Sequence, residues 1–177
     1  VSEIKPGNRD ITFIERMTEQ VKESLREGKN VIIYPSGQLT DQGIEKIYNK
    51  QGAFALVSNL PEDVQVLGVR ISGLWGSIWS KAWDGKQPHF LLTYVKAIFI
   101  LFANLIIFAP KRTVHLEFVD ITENAIKYSK TDRKTFNLFL ESFYNKNGWE
   151  EANYIKHFFF LPKSTRKYPA NLKTNPF

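Results

Sequence analysis

The sequence predicts an α/β domain, and three observations carry that reading. Val31-Ile32-Ile33 is a short β-branched run, and Val64, Val66, Val69 and Ile71 give a second strand pattern further on. Phe136, Phe139, Leu140, Phe143 and Tyr144 fall at i, i+3, i+4, i+7 and i+8, the stripe of an amphipathic helix. Helices thus lie around strands, which favours α/β packing. With 177 residues the chain fits one domain, large enough to bury a core without disulfide staples.

Taken in order, the chain opens on polar Val1-Ser2-Glu3-Ile4-Lys5-Pro6-Gly7, without an initiator methionine or the apolar core of a signal peptide. It reads as an excised piece of a longer polypeptide. Ile14, Met17, Val21 and Leu25 predict a helix over 12–27, with Thr12 and Glu15 at capping-box spacing and Gly28 placed to stop it. A buried strand is expected over 30–34, ending at Pro35. Residues 44–60 are mixed, with Gly52 weakening any helix, and Pro61-Glu62-Asp63 is a turn. Strands are expected over 64–72 and over 113–121, where Val114, Leu116, Phe118 and Ile121 are apolar. The amphipathic stripe predicts a helix over 132–147. Beyond Gly148 the pattern dissolves among Pro162, Pro169, Pro176 and the cluster Phe158-Phe159-Phe160. The expected division is therefore a domain over 1–148 and a linker or docking tail over 149–177, the alternative being a terminal tail packed by its own aromatics.

Composition narrows the partners. Lys and Arg number 24 against 18 Asp and Glu, a net charge of +6 that suits an anionic partner, either phospholipid head groups or nucleic acid. The 14 phenylalanines gather in apolar runs and do not alternate with Lys and Arg, and no RNA- or DNA-binding motif is present, so a membrane is favoured over nucleic acid. Cysteine is absent, which excludes disulfides and thiolate catalysis. Three scattered histidines make a metal site an unpromising expectation.

Residues 90–109 are close to the length of a bilayer span and hold only Thr93, Tyr94, Lys96 and Asn104 as polar residues. On a helical wheel Thr93, Lys96 and Asn104 share one stripe with Ala97 and Ala103 nearby, while Phe, Leu and Ile fill the rest. That distribution fits best a helix lying in the membrane interface and packed on the domain by its small face, with Lys96 snorkelling to the head groups. A buried core helix and a true span are the other two arrangements. Lys81, Lys86, Lys111 and Arg112 flank the segment, and the preceding run holds three tryptophans, a residue favoured at interfaces. Trp75, Trp79, Trp83, Lys96, Phe99 and Phe102 are the expected membrane contacts, with a second core cluster as the alternative for the tryptophan run.

Tyr34-Pro35-Ser36-Gly37-Gln38-Leu39-Thr40, followed by Gly43 and Lys46-Ile47-Tyr48, is the stretch that points to chemistry. A tight loop after an apolar strand is where α/β proteins commonly bind ligands. With its flanks, it resembles the Phe-Pro-Glu-Gly-Thr-Arg block of the glycerolipid and lysophospholipid acyltransferase family, most closely the acyltransferase module of bacterial acyltransferase/acyl-carrier-protein synthetase fusions. The resemblance runs from about residue 12 to 121. It implies the C-terminal part of a glycerol-3-phosphate acyltransferase-like sheet flanked by helices, at the cytoplasmic face of a membrane, peripheral or monotopic. It implies acyl transfer from acyl-coenzyme A or an acyl carrier protein to a lysophospholipid or glycerophosphate hydroxyl, with no further cofactor. An adjoining acyl-ligase domain is a possible partner, because the tail is similar to the connection into that domain.

Under the resemblance Ser36, Gly37, Gln38 and Thr40 are the expected substrate-binding residues. Ser36 stands where the family has glutamate, and Gln38 where the fusion module, whose block continues Gly-Arg-Ile-Thr, has arginine, so a carboxylate and a phosphate partner are missing from the loop. Either the chain acts on another acceptor or it has lost acyl transfer; a plain Pro-Ser-Gly turn is the bland reading. The family's His-x4-Asp pair, in which histidine deprotonates the acceptor hydroxyl, belongs several tens of residues upstream, yet no histidine precedes Pro35. Arg9 is the one candidate for an upstream arginine. No catalytic residue is therefore assigned, and the isolated chain is expected to be inactive, leaving a non-catalytic membrane-binding module as the alternative function. His115 and Asp120 share the spacing, but on a strand they point to opposite faces.

Overall fold

A computed structural model describes residues 11–40 and 44–161. Arg9, Gly43 and the prolines at 162, 169 and 176 lie outside them. The architecture is mixed, with five α-helices and a small antiparallel sheet among the described residues: α1 (Ile11–Arg26), α2 (Gly52–Val57), β1 (Leu67–Ser72), α3 (Phe90–Ala103), β2 (His115–Asp120), α4 (Thr122–Ser129) and α5 (Arg133–Tyr144). A 3-10 turn, Lys81–Trp83, precedes α3.

β1 and β2 pair antiparallel, from Leu67 opposite Asp120 to Ser72 opposite His115. The alternation of strand side chains sends Gly68 and Arg70 to one face. There, a methyl group on Gly68 would meet the Phe143 ring at 2.5 Å, and the Arg70 guanidinium lies 4.4 Å from the centre of that ring while pairing with Glu117 at 2.6 Å. The opposite face carries Leu67, Ile71, Leu116 and Phe118, all exposed.

The main core joins α2, α4 and α5 through Ala53, Val57, Ile121, Ala125, Phe136 and Leu140, with Ile47 fully enclosed. α5 is the organising element because both of its stripes are used. Its apolar stripe enters this core. A polar stripe at four-residue spacing holds the irregular segment before α2: Arg133 donates to the Gln51 side chain at 3.0 Å. Asn137 donates to the carbonyls of Tyr48 and Lys50 at 2.9 and 2.8 Å. Glu141 accepts from the Ile47 and Tyr48 amides at 2.6 and 3.1 Å, and Asn145 exchanges two bonds with the backbone of Glu45.

Several expectations are corrected. Residues 30–34 form no strand; Ile32 is 81% exposed and Tyr34 77%. A strand exists only where neighbours complete its hydrogen bonds, and none of the described strands lies beside this segment. Gly52 begins α2, and α1 begins at Ile11, so Thr12 lies inside its first turn. The expected strand over 113–121 stops at Asp120, because Ile121 is the buried N-cap of α4, a helix not foreseen. The apolar helix is shorter than residues 90–109: α3 spans 14 residues, and Asn104 caps it. No helix among the described residues is long and apolar enough to cross a membrane.

Candidate functional site

Two features qualify, the loop after Pro35 and the apolar surface of α3. In the loop, the Gly37 amide donates to the Tyr34 carbonyl at 3.0 Å, closing a turn with proline second and glycine fourth, and Gly37 sits at φ +62°. Ser36, expected to bind substrate, is buried at 3% exposure; its Oγ donates to the Gln38 carbonyl at 3.2 Å. The structure places Ser36, Gln38 and Thr40 around one shallow cleft of about 120 Å³ with Glu45, Lys46 and Lys81. Gly37 shapes the turn and does not line the cleft.

Glu45 gives the cleft its electrostatic character. Burial raises its carboxyl above its ordinary value; the Ser36 hydroxyl works the other way, and the nearby Glu141 carboxylate reinforces the rise. Two lysines, a half-buried carboxyl group and hydroxyls can receive a small polar group with anionic character. Sequence reasoning passed over Glu45, Glu141 and Lys81 as site residues. Lys81 was expected to flank the apolar segment, yet it comes to the loop from a distant part of the chain. Glu141 belonged to a helix read only for its apolar stripe, although the polar spacing from Arg133 to Asn145 was visible there.

Histidine does not line this cleft. Nδ1 of His89 accepts from the Leu92 amide at 3.5 Å at the start of α3. His157 stacks on Trp83 with ring centres 4.7 Å apart. His115 and Asp120 sit at opposite ends of β2, on opposite faces. Among the described residues no cluster of three acidic or histidine side chains is placed to hold a metal ion.

α3 touches the body along one narrow stripe, with Thr93, Ile100 and Asn104 buried and Ala97 half-buried. Phe99 and Phe102, each 63% exposed, point away, as do Phe90, Leu91, Leu92 and Val95. The tryptophan run is mostly not on this surface. Trp75 is buried at 4% exposure in a small second core with Ala82, packed by Ala152 and Tyr154, so it is removed from the expected membrane contacts. Trp83 is half-buried, its indole donating to the Gly76 carbonyl at 3.0 Å, and the Lys96 ammonium lies 5.4 Å from its ring centre. Trp79 stays partly exposed against Phe90, at 5.7 Å. Arg112 is also corrected from a flanking surface cation: its guanidinium donates to the carbonyls of Gly73 at 2.8 Å and Asn153 at 2.6 Å, tying strand end to tail.

The described part of the tail docks on the body. Glu150 accepts from the Gly73 amide at 2.7 Å, the Asn153 amide donates to the Trp75 carbonyl at 3.0 Å, and the Tyr154 hydroxyl donates to the Ala82 carbonyl at 2.5 Å. Comparison of the chain with family models, curated proteins and solved structures gives no match.

Proposed function

We propose that this chain is the membrane-resting, acceptor-loop half of a glycerolipid acyltransferase-like domain. The observation that carries the reading is the surface of α3, where a helix rich in Phe, Leu and Ile rests on the body by one stripe and offers the rest outward. Monomeric soluble domains rarely leave so continuous an apolar surface open. At about 21 Å, α3 is shorter than the roughly 30 Å hydrocarbon core of a bilayer, which suits a helix lying in the interface. Lys86 and Lys111, at either end of the segment, supply cations for anionic head groups, here at the cytoplasmic face.

The resemblance of the Tyr34–Thr40 stretch supports acyl transfer as the chemistry served. Ser36, Gln38 and Thr40 then receive the acceptor hydroxyl of a lysophospholipid or glycerophosphate, with Lys46 and Lys81 nearby for its phosphate. Coenzyme A or a carrier protein delivers the acyl group, and an adjoining acyl-ligase domain is the natural source of a carrier-bound donor. The base comes from a His-x4-Asp segment elsewhere in a longer polypeptide, because no histidine lines the cleft. The second reading, a non-catalytic membrane tether, is favoured by the neutral Ser36 and Gln38 in place of charged residues.

Flotation on vesicles of phosphatidylcholine and phosphatidylglycerol tests the membrane part: the chain should rise with the lipid, and protein left at the bottom of the gradient rejects it. The chain alone should transfer no labelled acyl group to a lysophospholipid. In a polypeptide carrying the His-x4-Asp segment, Ser36→Ala with Gln38→Ala should lower turnover at unchanged vesicle binding. Unchanged turnover, or none in the parent polypeptide, favours the tether.

A further inference from the structure

The helix α3 does not face outward alone. Just after it, Leu105, Ile106, Ile107 and Phe108 are four consecutive exposed apolar residues, and in the tail Phe159, Phe160 and Leu161 are exposed as well. The two segments are held together by Asn104, which is fully buried. Its Nδ2 donates to the Ile100 carbonyl at 2.5 Å and the His157 carbonyl at 2.7 Å, while its Oδ1 accepts from the Phe159 amide at 2.9 Å. Ring contacts follow the same seam, Phe158 against Phe99 at 6.1 Å and Phe159 against Phe108 at 4.8 Å.

The backbone of these irregular segments is compatible with an apolar medium. Backbone that dips toward an apolar layer needs partners for its peptide groups within the protein. Every backbone amide from Leu105 to Ala109 donates within the turn, to the carbonyls of Phe102, Leu101, Leu105, Asn104 and Ile106 in order. In the tail, the Phe158 carbonyl accepts from the Leu161 amide at 3.3 Å and the Phe159 carbonyl from the Lys156 ammonium at 3.0 Å. Leu105 and Ile106 also hold positive φ, +51° and +63°, a conformation that is an outlier for bulky or β-branched residues. The amides of the turn are thus satisfied within the protein while its apolar side chains face outward.

We propose that α3, the turn 105–108 and the tail segment 158–161 form one composite surface that inserts into the interfacial layer of an anionic phospholipid bilayer, with Asn104 fixing the tail segment in place. The proposal rests on the membrane reading and extends it to two segments outside any helix. Lys111 and Lys156 border it and match the anionic lipid.

The chain has no cysteine, so single-cysteine labelling needs no background removal. Phe99→Cys, Ile107→Cys and Phe160→Cys, each carrying an environment-sensitive fluorophore, are mixed with phosphatidylcholine/phosphatidylglycerol vesicles containing a lipid-borne quencher. Quenching at all three positions is expected. Quenching at Phe99 alone overturns the composite surface and leaves the membrane reading standing; quenching at none rejects both. Phe159→Ser with Phe160→Ser should weaken vesicle partitioning by about tenfold or more, from the transfer free energy of the lost rings, and unchanged partitioning counts against insertion of the tail. In an Asn104→Ala background the Phe160 label should lose its quenching while the Phe99 label keeps it; retained quenching at Phe160 removes the fixing role. Asn104→Asp, which keeps the acceptor and loses both donors, serves instead if Asn104→Ala loses the native circular dichroism spectrum.

Discussion

Asn137 shows how much one side chain decides here. It is buried, and both of its amide donations go to carbonyls in the irregular segment that precedes α2. Replacing it leaves two acceptors without a donor, so Asn137→Ala should cost about 2–4 kcal/mol in urea unfolding. Asn137→Asp, nearly isosteric but without donors, should cost at least as much; a loss under about 0.5 kcal/mol in either variant would show that water reaches those carbonyls. Glu45 makes the opposite kind of prediction. Because burial raises its pKa in the fold, the folded chain holds that proton more tightly than the unfolded chain. Its contribution to stability is complete below the ordinary glutamate value of about 4.3 and is lost as pH rises through the raised folded value. Glu45→Gln should therefore gain on the parent chain in thermal melts as pH increases from 4 to 7, and a constant difference across that range would contradict it. Gly73 is fixed by its place: at φ +92° a methyl group would stand 2.2 Å from the Thr113 carbonyl oxygen, so Gly73→Ala must move backbone and should destabilise by about 2 kcal/mol or more.

Among the elements, the amphipathic helices α1 and α5 were the most legible, whereas α2 and α4 were not foreseen. α5 was read almost whole, because its apolar stripe is local and its cap is built from neighbours: Asp132 accepts from the Lys134 and Thr135 amides at 2.8 and 3.1 Å. The Thr135 hydroxyl, then those amides, hold the Asp132 carboxyl below its ordinary value. The stability this gives is present above the unfolded pKa and lost as pH falls through the folded one, so Asp132→Asn should narrow its deficit against the parent chain in strong acid. The polar stripe of α3 was also legible, since Thr93 and Asn104 do turn to the body. The end of α3 was not: nothing local says that Asn104 will meet His157 and Phe159. Residues 30–34 were misread for the same reason, because β-branched residues make a strand only when another strand lies alongside. Phe99→Ser with Phe102→Ser tests what α3 is for. These exposed rings contribute little to folding, so the melting temperature should hold while vesicle partitioning falls about a hundredfold or more; a collapse of the melt instead would mark them as packing residues.

At the scale of the molecule, Arg112 ties the end of β1 to the tail. Its guanidinium fork reaches Gly73 and Asn153, and Lys cannot reproduce two diverging donors on one planar group, so Arg112→Lys should loosen the tail and raise its proteolysis. Vesicle binding should raise the melting temperature with lipid concentration, as any ligand of the native state does. Sequence alone determined the mixed α/β class, the apolar character and polar stripe of α3, the turn around Pro35 and Gly37, and the absence of a histidine before it. Each of these rests on residue chemistry or on periodicity within a few turns of chain. Tertiary structure decided that Trp75 is core, that Lys81 and Glu45 share a cleft with Ser36, that residues 30–34 pair with no strand among the described residues, and that Asn104 couples α3 to the tail. Those outcomes depend on groups far apart in sequence, and a buried hydrogen bond is worth making only once packing has removed water from both partners.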